Sequence, residues 1–303
     1  MHILVAGGTG FIGKALCQHL LQLGHQVTIL TRNIRRQKSR CKGLYASVRW
    51  ISVLDPGEGA YYDAIINLAG EPLNAHRWTQ RVKNALYSSR ITFTQRLVDY
   101  IHKMPVKPQV LINASAIGFY GHSQDFVFTE SSEPSDGGFT HRLCADWEAV
   151  ALQAEQYGVR VCCIRTGIVL GKGGGALQSM ALPFKWFLGA QLGSGRQWMS
   201  WIHIDDVLRA IDFMLDKPNM RGAYNLTATE PVTHAHFVHS LAVALRRPCW
   251  FTLPAWLVRI LFGEMGDALL LKGQKVIPAR LMKRGFVFKF TKLEAALADI
   301  VKS

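Results

Sequence analysis

The first 54 residues of this 303-residue chain contain no Asp or Glu, although eight Lys and Arg precede Asp55. Cysteine is also sparse. The six present include no C-x-x-C pair, which argues against a disulfide framework and against a zinc ribbon. No apolar run approaches the roughly 20 residues of a membrane helix, and the stretch Ala255–Phe262 is interrupted by Arg259. A first strand is expected from His2, leaving no room for a cleavable leader. Repeats and low-complexity tracts are absent. With 49% hydrophobic and 18% charged residues, disorder, collagen and coiled coils are excluded. These absences together predict a reduced, cytoplasmic globular protein with no membrane partner.

The formal net charge of +14 is unevenly placed. Six basic side chains lie between Arg32 and Lys42, in the acid-free opening segment. A nucleic-acid partner is not expected, because no recognised module or interleaved aromatic platform accompanies the charge. A solvated loop and a phosphate-binding loop both remain open.

Hydrophobic patterning predicts strands at His2–Ala6, Gln26–Leu30, Ser47–Ile51, Asp63–Leu68, Gln109–Ala114, Val159–Ile164 and Tyr224–Leu226. Residues 11–23, 79–103 and 142–157 fit helices. Strands alternating with helices imply right-handed crossovers and an α/β, doubly wound parallel sheet of Rossmann type. Beyond Gly171 glycines accumulate, and residues 248–290 mix prolines with amphipathic segments. The expected organisation is a dinucleotide-binding domain over 1–230, carrying a substrate-lobe insertion at about 171–200. A smaller, irregular C-terminal substrate lobe over 231–303 would follow it.

Gly7, Gly10 and Gly13 follow the first strand and open a helix. That spacing, in that context, suits a tight turn, close approach to a pyrophosphate and close helix–strand packing. An NAD site places Asp or Glu at the end of the second strand, about twenty residues further on. Here Thr31 and Arg32 stand there instead, which suits a 2′-phosphate. NADP(H) is therefore the expected cofactor, with Arg32 as the main contact and Arg35 or Arg36 as its partner.

Gly7–Gly13, Asn67–Gly70, Ile112–Ser115 and Trp201–Asp206 together resemble the extended short-chain dehydrogenase/reductases. Ala145–Glu148, Arg165–Gly171, Gly193–Gln197 and Leu271–Pro278 narrow the resemblance to epimerase-like family 39U of the NAD-dependent epimerase/dehydratase superfamily. The resemblance implies that Thr9, Phe11 and Ile12 complete the phosphate loop. It also implies that Leu68, Ala69 and Gly70 flank the adenosine and ribose, and that Arg90 lies near the cofactor. Ser115 would face nicotinamide and substrate, with Val169 on the nicotinamide side. The implied activity is NADP(H)-dependent oxidation or reduction of a carbonyl or hydroxyl carbon, with nucleotide-sugar epimerisation as the alternative. The substrate would be a nucleotide sugar or a small carbonyl, and a homodimer is the assembly to test for.

The superfamily's Tyr-x-x-x-Lys, in which lysine lowers the tyrosine pKa, is missing after all eight tyrosines. Aligning Glu148 with the acid that follows that motif puts Thr140 and Cys144 in its two places. This leaves a non-catalytic NADP(H) sensor as a third reading. Tyr120 could bring a phenol to the nicotinamide or pack in the core. His203 and Asp205 could form an acid–base pair, or Asp205 or Asp206 could cap a helix. His234, His236 and His239 read as a solvated helix face and Cys144 as an inert buried thiol, so no metal is expected.

Overall fold

The computed structural model describes residues 1–35, 37, 47–57 and 61–302. Arg36, Lys38, Arg40 and Lys42 lie outside the described residues. The central sheet has seven strands: β1 (His2–Ala6), β2 (Gln26–Leu30), β3 (Arg49–Ile51), β4 (Ala64–Asn67), β5 (Val110–Ala116), β6 (Arg160–Thr166) and β7 (Gly222–Leu226). Every pairing is parallel, in the order β7-β6-β5-β4-β1-β2-β3. The chain leaves β1 toward one edge and returns beside it as β4. A crevice therefore opens where these two strands end, the usual ligand position in such sheets.

Two-residue periodicity explains why the strands are nearly continuous in apolar residues. Ile3 and Val5 face one core with Ile29, Ile66, Ile112, Leu16 and Leu20. Leu4 faces the other with Ile65, Leu111, Val161, Leu97 and Ile101. Helices cover both sides, so neither face can carry polar residues.

The helix expected over 79–103 is interrupted. Thr79 caps α2 (Gln80–Tyr87), accepting from the Val82 amide; a π-turn occupies Ser88–Thr92, and α3 (Phe93–Lys103) continues. The wider turn carries Arg90 inward, and such bulges often mark functional sites. The helix expected from 142 begins earlier, as α4 (Phe139–Leu152), and ends in a 3₁₀ turn at Gln153–Tyr157.

The later segments are interwoven with the insertion. Cys249–Leu253 pairs with Gly189–Leu192, and Lys275–Val276 with Val127–Phe128. Phe237, Leu241, Phe290, Leu293 and Leu297 build a third core on Leu170 and Trp201. Asp206, fully buried, accepts from the amides of Lys289 (2.8 Å) and Phe290 (2.9 Å), tying the tail to the sheet domain.

Two sequence expectations need correction here. Neither Asp205 nor Asp206 caps the helix Ile204–Asp216; His203 does, its Nδ1 accepting the Asp205 amide at 3.2 Å. The three histidines do not share a solvated face either. His236 and His239 are exposed, whereas His234 lies inward on the same helix and is buried. No helix among the described residues is long and apolar enough to cross a membrane.

Candidate active site

The phosphate end is built by backbone. β1 stops at Ala6, and Gly7 adopts φ +78°, where a side chain would sit 2.6 Å from the Leu68 carbonyl. A Cβ on Gly13 would lie 2.2 Å from the Gly7 oxygen, so the first helix, α1 (Phe11–Gln22), can approach the strand this closely only through glycine. Gly10 is its N-cap and supplies no side-chain cap. The first-turn amides and the positive end of the helix dipole are left for an anion. Phe11 packs under the Gly171–Gly175 turn, and Ile12 borders the cleft beyond. This cradle fits a dinucleotide pyrophosphate.

From Gly7 and Gly10 a cleft of about 940 Å³ runs toward β2, lined by Thr9, Thr31, Arg32 and the Leu68–Gly70 loop. Thr31 is nearly buried and its amide donates to Ile51 at 2.9 Å, which prolongs the sheet and fixes where Arg32 emerges. The Arg32 side chain is 93% exposed and meets Glu71 at 3.1 Å. An acid therefore does reach this end, from the loop after β4 and not from the end of β2. Arg35 is exposed and does not line the cleft. Arg96 and Lys103, seven apart on one face of α3, line it instead. Sequence reading missed them, although their spacing with Tyr100 marks that face.

The loop from β4 is held by buried polar pairs. Asn67 Nδ2 donates to Asn113 Oδ1 (2.7 Å) and Thr94 Oγ1 (2.9 Å), while its Oδ1 accepts the Ala69 amide at 3.2 Å. Arg90 donates to the carbonyls of Glu71 (2.9 Å) and Leu86 (3.3 Å), and its guanidinium lies over Trp147 and against Gly70. Burial pulls its pKa below the usual arginine value. Arg90 is thus a brace for the Gly70–Glu71 turn.

The cleft continues past Gly7, Gly10, Leu68 and Gly70 into a second space of about 820 Å³, reached by Ser115, Gly118, Thr140 and Cys144. Ser115 ends β5 and donates to Glu148 Oε1 at 2.6 Å. Glu148 is gripped by Arg165, Nε to Oε1 and Nη2 to Oε2, both 2.8 Å. Arg165 continues to the Tyr120 hydroxyl at 3.0 Å, which donates to Asn225 at 2.7 Å. Its guanidinium sits 3.4 Å from the Phe119 ring centroid. Burial opposes charge on Arg165, but the hydrogen bonds and charge of Glu148 outweigh it and raise the pKa above the usual value. Glu148 and Arg165 stood out in the sequence only as family marks; nothing there joined them to Ser115.

Several expected side chains are elsewhere. Tyr120 is 0% exposed and spends its hydroxyl on Arg165 and Asn225, with burial raising its pKa. It does not line the cleft, which corrects its assignment as a phenol near the nicotinamide. Val169 packs into the core, while Thr166, Gly167 and Ile168 border the space. His203 and Asp205 are outside the lining too. Thr140 and Cys144, four apart on α4, both approach Gly118. Burial, reinforced by Glu148, pushes the Cys144 thiol up to about 11, which suits an inert neutral group.

The sequence model of the NAD dependent epimerase/dehydratase family matches residues 3–227, and that of a domain of unknown function (DUF1731) matches 253–300. The chain is 38% identical over its full length to the Arabidopsis thaliana "Epimerase family protein SDR39U1 homolog, chloroplastic", covering 87% of it. It is 37% identical to Bacillus subtilis "Epimerase family protein YfhF", with 99% of this chain and 98% of the relative covered. The crystal structure of human epimerase family protein SDR39U1 (isoform2) with NADPH superposes with TM-score 0.89 at 34% identity, covering 100% of this chain and 99% of that one. With the family's sequence model covering residues 3–227, the chain belongs to the NAD dependent epimerase/dehydratase family.

Proposed function

We propose that this chain is an NADP(H)-dependent oxidoreductase, reducing a carbonyl carbon with NADPH or oxidising a hydroxyl carbon with NADP⁺, the reacting carbon held between Ser115 and Thr140. The observation that carries the reading is the continuity of the two spaces through Gly7, Gly10 and Leu68. A dinucleotide laid on the glycine cradle extends toward Arg32 at one end and Ser115 at the other. NADPH, when bound, supplies two-electron reducing equivalents, and human SDR39U1 was crystallised with it. Gly10 and the first turn of α1 hold the pyrophosphate. Arg32 takes the 2′-phosphate after leaving Glu71, an exchange that costs little because exposed ion pairs are worth only ~0–1 kcal/mol.

Ser115 gives its one proton to Glu148, so its oxygen accepts from the hydroxyl of the alcohol form and gives a ketone oxygen no proton. Thr140 has no side-chain hydrogen bond among the described residues and serves as donor to the substrate oxygen. An aliphatic hydroxyl is far too weak an acid to replace a phenol beside an ammonium. Positioning and hydrogen bonding do the work of the missing pair, and the proton comes ultimately from water.

The same substitution supports a second reading, a non-catalytic NADPH sensor, because neither Thr140 nor the neutral Cys144 can act as the usual dyad. Nicotinamide absorbance across a carbonyl panel decides between them. Oxidation of NADPH in proportion to protein supports the oxidoreductase; firm binding with no consumption supports the sensor. Epimerisation with no net absorbance change points to the family's other chemistry.

A further inference from the structure

We infer that the space beyond Ser115 takes an uncharged substrate with an aromatic or branched apolar body, and not a nucleotide diphosphate. The inference rests on the reading that this space holds the reacting carbon. Three tryptophans border it, and each has already used its N–H: Trp78 on the Leu73 carbonyl (2.9 Å), Trp147 on Thr94 (2.9 Å) and Trp198 on the Gln124 carbonyl (2.7 Å). They present ring faces and edges and no donor. Leu143 and Leu269 extend the same surface.

Charge gives the second argument. The basic side chains of the lining among the described residues are Arg90, His122 and Lys272, and each is engaged. Arg90 is committed to backbone carbonyls, His122 pairs with Asp136, and Lys272 Nζ meets Asp267 at 3.1 Å. The acids Asp136, Glu264 and Asp267 face the same space, and Glu264 is held by Lys83 at 2.7 Å. A chain of formal charge +14 thus places none of its excess here. The cations Arg32, Arg96 and Lys103 gather instead at the opposite end, around the cofactor cleft. A diphosphate in the Trp78–Trp198 space would be desolvated beside three carboxylates, and among the described residues of the lining a cation reaches it only by leaving its present partner, as Lys272 would leave Asp267. An aryl ketone loses nothing there and gains apolar contact. The space of about 820 Å³ includes the stretch from Gly7 to Ser115 that the cofactor would fill, and the remainder suits a compact molecule with one polar handle, its oxygen at Thr140.

The test is saturation-transfer NMR on the full chain loaded with NADP⁺, with acetophenone and propiophenone as apolar probes and UDP-glucose as the competitor. The expected result is transfer to the ketones, no displacement by UDP-glucose, and ketone affinity weakened at least about tenfold by Leu269→Glu. NADP⁺ affinity, read by calorimetry, confirms that the variant is folded; if it is not, Leu143→Gln replaces it. Displacement by UDP-glucose, absence of transfer to either ketone, or indifference to both substitutions overturns the inference. Ketone binding without NADPH oxidation would sink the oxidoreductase reading and leave this one standing. NADPH oxidation with a nucleotide sugar alone would do the reverse.

Discussion

Ser115 donates its only hydroxyl proton to Glu148 Oε1 at 2.6 Å, inside a buried row that runs on through Arg165 and Tyr120 to Asn225. A serine free to rotate could offer its proton to a ketone. This one is fixed as an acceptor, and the carboxylate that fixes it is itself held by two parallel Arg165 bonds.

Arg165→Met therefore leaves the Glu148 carboxylate buried without its partner. The expected loss of stability is about 3–5 kcal/mol, read as a lower denaturant midpoint. The double variant with Glu148→Gln should regain part of that loss, because it removes the stranded charge. A single variant as stable as the wild type would show that the pair does not organise this region.

The Arg32–Glu71 contact yields a cofactor prediction. NADPH should bind at least about tenfold more tightly than NADH, a difference of ~1.4 kcal/mol. Arg32→Ala should erase most of that preference with little change for NADH. Glu71→Gln should strengthen NADPH binding, since it frees the guanidinium in advance. Calorimetry giving equal affinities for both cofactors in the wild type contradicts the 2′-phosphate assignment.

His234 sets an acid limit on stability. Burial lowers its pKa from 6.5 to about 4, and its Nδ1 has no hydrogen-bond partner among the described residues. The folded state holds the ring neutral while the unfolded chain takes up a proton below its ordinary pKa. Stability should fall as pH drops from about 6.5 toward 4, by a total of order 3 kcal/mol. His234→Phe should flatten this slope in urea titrations at several pH values. An unchanged slope would assign the acid sensitivity elsewhere.

Truncation after Thr229 tests the organisation of the tail. It removes Phe237, Leu241, Phe290, Leu293 and Leu297 from their contacts with Leu170 and Trp201, and frees Asp206 from two amides. The shortened chain should aggregate or lose cooperative unfolding. A soluble fragment with a sharp transition would mean that the sheet domain stands alone.

The parts legible in the sequence were those determined locally. Gly7 and Gly13 announce the turn because only glycine fits there, and the strands announce themselves by apolar runs buried on both faces. Ser115, Glu148 and Arg165 come together only through the pairing of β5 with β6 and the packing of α4, so no spacing reveals the row. Arg90 points inward because of a π-turn that no periodicity predicts. The cap of Ile204–Asp216 was misread because Asp is the commoner capping residue, while Asp206 is needed to hold the tail. Arg96 and Lys103 were readable in principle, by asking which face of α3 looks toward β2.

The most direct test of the account is nicotinamide absorbance when wild-type protein, NADPH and an uncharged aryl ketone are mixed. The account predicts NADPH oxidation proportional to protein, slowed on the order of tenfold to a thousandfold by Thr140→Val at unchanged NADPH affinity. Full NADPH binding with no oxidation by any carbonyl, or a Thr140→Val variant as fast as wild type, would contradict it.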